Sequence, residues 1–363
     1  MPGRSRLSLP TFPWDALAGA SATARAHPDG IVDLSVGTPV DPVAPLLQHG
    51  LAQTADVSGY PAVWGTAQLR QSAVDALARR HSITGLDPDA VLPTIGSKEL
   101  IAWLPTLLGL GRDDTVVVPE LAYPTYEVGA RLVGAKVVRF DPATPVRPAL
   151  VYVNSPANPT GAVLDVGALR TVVDWSRDRG AVVVSDECYL GLGWEAEPVS
   201  VLHPEVNGGH LDGLLAVHSL SKSSSLAGYR AGFVTGDPAL VAELLEVRRH
   251  MGMIVPRPVQ SAMTVALRDD DHVAAQRERY AARRRVLLTA VRAAGLRVDR
   301  SEAGLYLWAS RDEPCQDTVS WFAQRGILVA PGQFYGPAGA RHVRIALTAT
   351  DERVAAAVSR LQP

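Results

Sequence analysis

From about residue 90 to residue 220, short apolar runs alternate with longer segments of helical period. The runs are Val91 to Ile95, Thr115 to Val118, Ala135 to Phe140, Ala149 to Asn154, Ala181 to Asp186 and Leu214 to Ser219. Ser97 to Leu110, Tyr123 to Val133 and Asp165 to Arg179 lie between them and read as helices. Such alternation predicts an α/β fold with a mostly parallel central sheet flanked by helices. Upstream, Pro- and Gly-rich residues 1–40 read as an N-terminal arm with a short helical pattern near Trp14 to Arg25, and Thr66 to His81 reads as a helix. After Pro256-Arg257-Pro258 the rhythm changes. A long helical region, Val259 to Ala294, leads into strands at Leu305 to Ala309, Ile327 to Ala330 and His342 to Leu347. Helices at Gln316 to Arg325 and Asp351 to Leu361 complete this tail. The expected division is an arm at 1–40, a large domain at 41–255 and a smaller α+β C-terminal domain at 256–363.

Composition narrows the function classes. A chain of 363 residues with 47% hydrophobic and 20% charged residues suits a globular protein of two domains. A net charge of -2 gives no electrostatic case for nucleic acid or an anionic membrane, and the arginines from Arg277 to Arg285 read as a solvated helix face. The two cysteines make no disulfide framework and show no zinc spacing, so no metal is expected. Met1 to Pro13 has no apolar stretch of the signal-peptide kind, and no run of about eighteen apolar residues exists, so a cytoplasmic location is expected.

In sheets of this kind ligands bind beyond the carboxyl ends of the strands, and there the chain places its reactive side chains. Lys222 follows the strand ending at Ser219, among Ser221, Ser223, Ser224 and Ser225, with Arg230 eight residues on. A lysine amine condenses with an aldehyde, as in pyridoxal phosphate enzymes, and arginine with serines can hold a phosphate. A solvated polar loop has the same look. Gly96-Ser97-Lys98 opens a helix after a strand, which suits either phosphate or a plain serine cap. The loop Asn154 to Gly161 offers Asn158 as a donor or is an ordinary turn. Asp186 ends an apolar strand and needs a positive partner such as a pyridinium nitrogen, unless it caps a helix; Tyr189 is a nearby donor. Tyr123 can stack on a ring or sit in a core. Arg344, in an otherwise apolar strand, either binds a carboxylate bidentately or faces water from an edge.

Taken in order, these pieces resemble the class I/II aminotransferases of PLP fold type I over nearly the whole chain. The most specific parts are Asn158-Pro159-Thr160-Gly161, Asp186 with Tyr189, and Ser219-x-Ser221-Lys222 with Arg230. The resemblance implies pyridoxal 5'-phosphate as cofactor. It implies Lys222 as the lysine that carries it and moves the substrate proton, Asp186 at the pyridine nitrogen, and Asn158 with Tyr189 at the ring oxygen. Tyr123 would stack on the ring. Ser97, Lys98, Ser219, Ser221 and Arg230 would hold the phosphate. Arg344, helped by the Gly37 backbone, would bind the substrate carboxylate. Tyr60, in the stretch carrying Gly65, Leu69 and Arg70, would reach into a neighbouring subunit's site, so a homodimer with shared sites is implied.

The segments Pro10 to Leu17 and Gly30 to Pro42 further resemble the actinobacterial N-succinyldiaminopimelate aminotransferases of lysine biosynthesis. That substrate's remote carboxylate would need a distal cation, for which Arg25, Arg257 and Lys98 are candidates. Alternatives within the chemistry are an aspartate-, aromatic- or methionine-type aminotransferase and a C–S β-lyase. An aminotransferase-like transcription regulator is set aside, because only about thirty Pro-rich residues precede the resemblance.

Overall fold

The computed structural model describes residue 9, residues 13–143 and residues 145–362. A short pairing, β1 (Val32–Asp33), opens the chain, followed by a seven-stranded sheet. Its strands are β2 (Val91–Ile95), β3 (Thr115–Val118), β4 (Lys136–Arg139), β5 (Leu150–Asn154), β6 (Val182–Asp186), β7 (Leu214–Ser219) and β8 (Ala231–Gly236). They lie in the order β2-β8-β7-β6-β5-β3-β4, and only β8 runs antiparallel to its neighbours. The mostly parallel sheet expected from the alternating pattern is therefore present. Both faces are covered, and β7 shows why its residues are apolar throughout. Leu214 and Ala216 join one core and Leu215 and Val217 the opposite one, as the two-residue period of a strand requires.

Three strands, β2, Thr115–Val118 and β7, end where the sequence pattern places them; others shorten by a residue or two. Strand β8 and helix Pro238–Met251 were not legible in that pattern. The long helical region expected from 259 to 294 is two helices, Arg257–Arg268 and Asp271–Ala293. The break falls at Asp269 and Asp270. The Asp269 carboxylate accepts from the His272 amide at 2.9 Å, and Asp270 is tied to Arg79 and Arg80 on the Ala67–His81 helix. Helix Arg257–Arg268 buries Val259, Met263, Ala266 and Leu267 in the core under the large sheet, together with Leu47 and Leu69.

The smaller sheet is formed by β9 (Arg297–Asp299), β10 (Tyr306–Ser310), β12 (Ala330–Pro331) and β13 (Val343–Ala346), in the order β12-β13-β10-β9. β11 (Ile327–Leu328) pairs instead with β1. The single strand expected at 327–330 is thus two short ones. Among the described residues no helix is long and apolar enough to cross a membrane.

Arg277 to Arg285 is not simply a solvated face. Arg283 is buried and grips Asp41 through two nitrogens at 2.8 and 2.6 Å, and Asp351 at 2.7 Å. The arginine joins the 35–41 segment to helix Asp351–Leu361. Burial works to raise the Asp41 carboxyl, but its bonds from Arg283 and Gln276 outweigh that and hold it below the ordinary value. A depressed carboxyl contributes stability that is present above its unfolded pKa and lost as pH falls through the folded value. Asp41→Asn is therefore expected to cost about 2 kcal/mol at neutral pH and to flatten acid unfolding below about pH 4. Denaturant titrations at pH 7 and pH 3 check both.

Candidate active site

The register brings five chain segments to one edge of the large sheet. Asn154 pairs with Asp186, Asp186 with Val217, Ser219 with Gly232 and Ile95 with Ala231. The carboxyl ends of β2, β5, β6 and β7 and the amino end of β8 consequently meet there. Twelve of the residues singled out from the sequence line one cleft of about 610 Å³ at this edge. They are Gly37, Ser97, Lys98, Tyr123, Asn158, Asp186, Tyr189, Ser219, Ser221, Lys222, Arg230 and Arg344. Tyr60 does not line it. That side chain is 99% exposed.

Lys222 sits in the one-turn helix Leu220–Ser223, capped by the Ser219 hydroxyl, which accepts from the Ser221 amide at 3.1 Å. The Tyr280 hydroxyl donates to the Lys222 carbonyl at 3.3 Å. Its amine donates to the Gly37 carbonyl. Burial lowers the amine's pKa; Tyr306 and Cys188 oppose the shift, while Arg344 and Arg230 add to it. A larger neutral fraction makes a better base and nucleophile.

Asp186 is buried at the end of β6. Its Oδ2 accepts from the Tyr126 hydroxyl at 2.8 Å and its Oδ1 from the Cys188 amide at 3.3 Å. Burial raises this carboxyl above its ordinary value, and the bonds from Cys188 and Tyr126 only partly offset that. An acid so placed favours a cationic partner. Asn154, whose importance the sequence did not signal, locks the arrangement. Its amide nitrogen donates to the Asp186 carbonyl at 2.8 Å, and its Oδ1 accepts from the Asn158 amide at 2.7 Å.

Arg344 is buried on β13, and its guanidinium lies 4.0 Å from the Tyr306 ring centre and 5.1 Å from that of Tyr335. It donates to Asn158 Oδ1 at 2.8 Å and to the Ser35 carbonyl at 2.6 Å. Its Nε is buried and has no partner among the described residues. An orphaned donor of this kind is costly unless a ligand meets it. The bond to Asn158 Oδ1 also leaves the Asn158 amide nitrogen as a donor.

Ser97 begins helix Ser97–Leu107 behind Gly96, whose φ of 74° and lack of a side chain are both used. A Cβ there would lie 2.8 Å from the Arg230 guanidinium carbon. Arg230 thus lies against the helix start, where free amides favour an anion. The helix is pinned from behind by the fully buried Arg248, which grips Glu99 at 2.9 and 3.3 Å. Lys98 is exposed as a residue, but its amine lies 5.9 Å from the Tyr123 ring centre, and partial desolvation there, with the nearby Arg230, lowers its pKa.

Seven lining residues were not singled out from the sequence, among them Trp14, Cys188 and Tyr306. Trp14 brings the N-terminal arm to the cleft, its ring 5.8 Å from Phe334. The neighbouring residues 10–12 lie outside the described residues. Tyr189 bonds the Tyr306 hydroxyl at 3.1 Å. Arg25 and Arg257, considered as distal cations, do not line the cleft.

A cationic ring nitrogen suits the buried Asp186 carboxylate, a phosphate suits the Gly96–Arg230 cradle, and a carboxylate suits the orphaned Arg344 nitrogen. The site therefore fits a phosphorylated pyridine aldehyde together with an amino acid. The comparisons agree. Residues 29–361 match the family of class I and II aminotransferases, and the chain belongs to it. It is accordingly a pyridoxal phosphate-dependent aminotransferase of fold type I, exchanging amino groups between amino and oxo acids. It is 71% identical over 357 residues to a probable aminotransferase of Mycobacterium tuberculosis, covering 98% of this chain and 85% of that protein. It is 57% identical to the 4-dedimethylamino-4-oxo-anhydrotetracycline transaminase OxyQ of Streptomyces rimosus, covering 97% of this chain and 99% of that one. Among solved structures, it is similar to a probable N-succinyldiaminopimelate aminotransferase of Thermus thermophilus. That likeness has TM-score 0.86 and 28% identity, and covers 96% and 99% of the two chains.

Proposed function

We propose that the chain is an N-succinyl-LL-2,6-diaminopimelate:2-oxoglutarate aminotransferase of lysine biosynthesis, with glutamate as amino donor. The observation that carries the α-carboxylate part is the buried Nε of Arg344, without a partner among the described residues, beside Asn158 and Lys222 in one cleft. The succinyl substrate rests on the Thermus likeness and on the resemblance of residues 30–42. LL-diaminopimelate aminotransferases, one 31% identical over 98% of this chain, support a substrate of the diaminopimelate kind.

In this reading Lys222 holds the cofactor, Asp186 keeps a proton on its ring nitrogen, and Asn158 and Tyr189 donate to its ring oxygen. Tyr123 packs on the ring, while Ser97, Lys98, Ser219, Ser221 and Arg230 bind the phosphate. Pyridoxal phosphate, when bound, supplies an electron sink for the pair left on the substrate Cα. Arg344 fixes the substrate carboxylate with the Gly37 backbone beside it, which orients the Cα–H toward Lys222. The freed Nζ takes that proton. A second half-reaction with the oxo acid runs in reverse, so the kinetics are ping-pong.

The test uses holoenzyme and absorbance. Glutamate should change the cofactor spectrum, and N-succinyl-2-amino-6-ketopimelate should restore it faster than other oxo acids. Preference for another oxo acid removes the succinyl assignment. Pyruvate with ammonia from a cysteine conjugate would signal a β-lyase. A bulky polycyclic ketone belongs in the panel, because the OxyQ likeness and the aromatic residues Trp14 and Tyr306 in the cleft favour that second reading.

Tyr60, fully exposed and outside its own chain's cleft, is assigned to the partner's site in a homodimer. Tyr60→Phe should weaken cofactor binding about tenfold, the loss of one hydrogen bond to a charged group. A dialysis series against free cofactor reads this. Mixing Tyr60→Phe with Lys222→Ala should restore cofactor affinity at one site of each mixed dimer.

A further inference from the structure

Tyr306 begins β10 in the smaller unit and lines the cleft, and two separate contacts converge on it. Its hydroxyl lies 3.1 Å from the Tyr189 hydroxyl, and its ring centre lies 4.0 Å from the Arg344 guanidinium carbon. Both tyrosines are largely buried although they line the cleft, which favours the bond between their hydroxyls over exchange with water. Each hydroxyl owns one hydrogen. If Tyr189 gives its hydrogen to the ring oxygen of the cofactor, the hydrogen between the two tyrosines has to come from Tyr306. The order is then Tyr306 to Tyr189 to ring oxygen, and a donor that also accepts is polarised into a stronger donor.

We propose that Tyr306 is a positioning residue with two separable actions: its hydroxyl strengthens Tyr189 as a donor to the cofactor, and its ring holds Arg344 for the substrate carboxylate. The proposal rests on the site reading given above. Gly37 is consistent with it, since any side chain there would collide with the Tyr306 ring and hydroxyl. The backbone that faces the substrate carboxylate, the arginine that binds it and the tyrosine at the cofactor are thereby packed against one ring.

The two actions separate by substitution. Tyr306→Phe keeps the ring and loses the hydroxyl. A weaker donor at the ring oxygen favours its protonated partner form. The pH midpoint of the bound cofactor's absorbance change should therefore rise by about half a unit, consistent with the cooperative strengthening of a linked bond. The KM for glutamate should stay within about twofold, because the ring still faces Arg344. Tyr306→Leu removes the ring as well and should raise that KM about tenfold, as loss of a desolvated cation–π contact implies.

A double-mutant cycle decides whether the hydroxyl acts through Tyr189. In a Tyr189→Phe background, Tyr306→Phe should produce no further midpoint shift. A downward shift, or the same upward shift in both backgrounds, overturns the proposal. If Tyr189→Phe alone leaves the midpoint unmoved, the placement of Tyr189 at the ring oxygen fails and the proposal falls with it. If Tyr189→Phe moves the midpoint and Tyr306→Phe does not, only the proposal is overturned. Tyr306→Phe is isosteric, so a folding failure of Tyr306→Leu does not rescue or sink the hydroxyl result.

Discussion

Lys222→Ala is expected to lower the rate of the glutamate half-reaction about 10⁴-fold, the upper end of what a positioned general base contributes. The reason is that the other acids and phenols of the cleft cannot take over, and the second amine there, Lys98, is assigned to the phosphate beside Arg230. Asp186 lies at the end of β6 with its oxygens committed to Tyr126 and Cys188. The Cys188 thiol and the Tyr189 and Tyr123 phenols all sit above their ordinary values because they are buried, Tyr123 at about 12. None of these is an available base at neutral pH. The Lys222 amine differs because burial favours its neutral form. Stopped-flow absorbance after mixing with glutamate reads the rate directly. Two further outcomes separate a chemical role from a structural one. Borohydride followed by mass spectrometry should fix the cofactor to the wild type and not to the variant. Methylamine should restore part of the lost rate. An unchanged spectrum on glutamate addition in the wild type, or full activity in the variant, refutes the assignment.

How much of this site was legible in the sequence depends on where its residues sit. Ser97, Asn158 and Lys222 follow, and Asp186 and Ser219 end, strands whose runs are largely apolar, so the strand ends announce them. The strand-end rule then gathers them at one edge. Arg344 was visible because a charge within an apolar run is conspicuous. Tyr306 was not, because an aromatic residue at the start of an apolar strand reads as core, and only the packing of β10 against β13 shows that it meets Arg344. Trp14 escaped for a related reason: a Pro-rich arm has no period from which its position could be inferred. Arg283 was misread as solvated because its partners, Asp41 and Asp351, are 242 and 68 residues away. Helical period assigns a residue to a face but says nothing of what a distant segment lays on that face. The break at Asp269 and Asp270 was hidden likewise, since both flanking stretches are good helix formers. The deciding contacts come from Arg79 and Arg80 on another helix.

The same separation between local pattern and distant packing governs Asp186. Among the described residues no cation lies against its buried carboxyl, and burial raises its pKa. A raised carboxyl favours folding below its unfolded pKa, and that contribution is lost as pH rises through the folded value. Asp186→Asn removes the ionisation while retaining an oxygen to accept from the Cys188 amide. The Tyr126 hydroxyl can rotate to accept from the new amide. The cofactor-free variant is therefore expected to melt at or above the wild type at pH 8, with a smaller advantage at pH 5. Catalysis should move in the opposite direction. An asparagine cannot hold a proton on a pyridine nitrogen by charge, so the half-reaction with glutamate should slow about 10³-fold, in the range for losing one preorganised electrostatic partner of a developing charge. A site that costs stability when empty and rate when neutralised is one kept for its ligand. Differential scanning calorimetry of the apoproteins and stopped-flow absorbance of the holoproteins test the two halves separately. An asparagine variant less stable than the wild type at pH 8 would show that the carboxylate is already compensated within the fold, and that the pyridine nitrogen is not the partner it awaits.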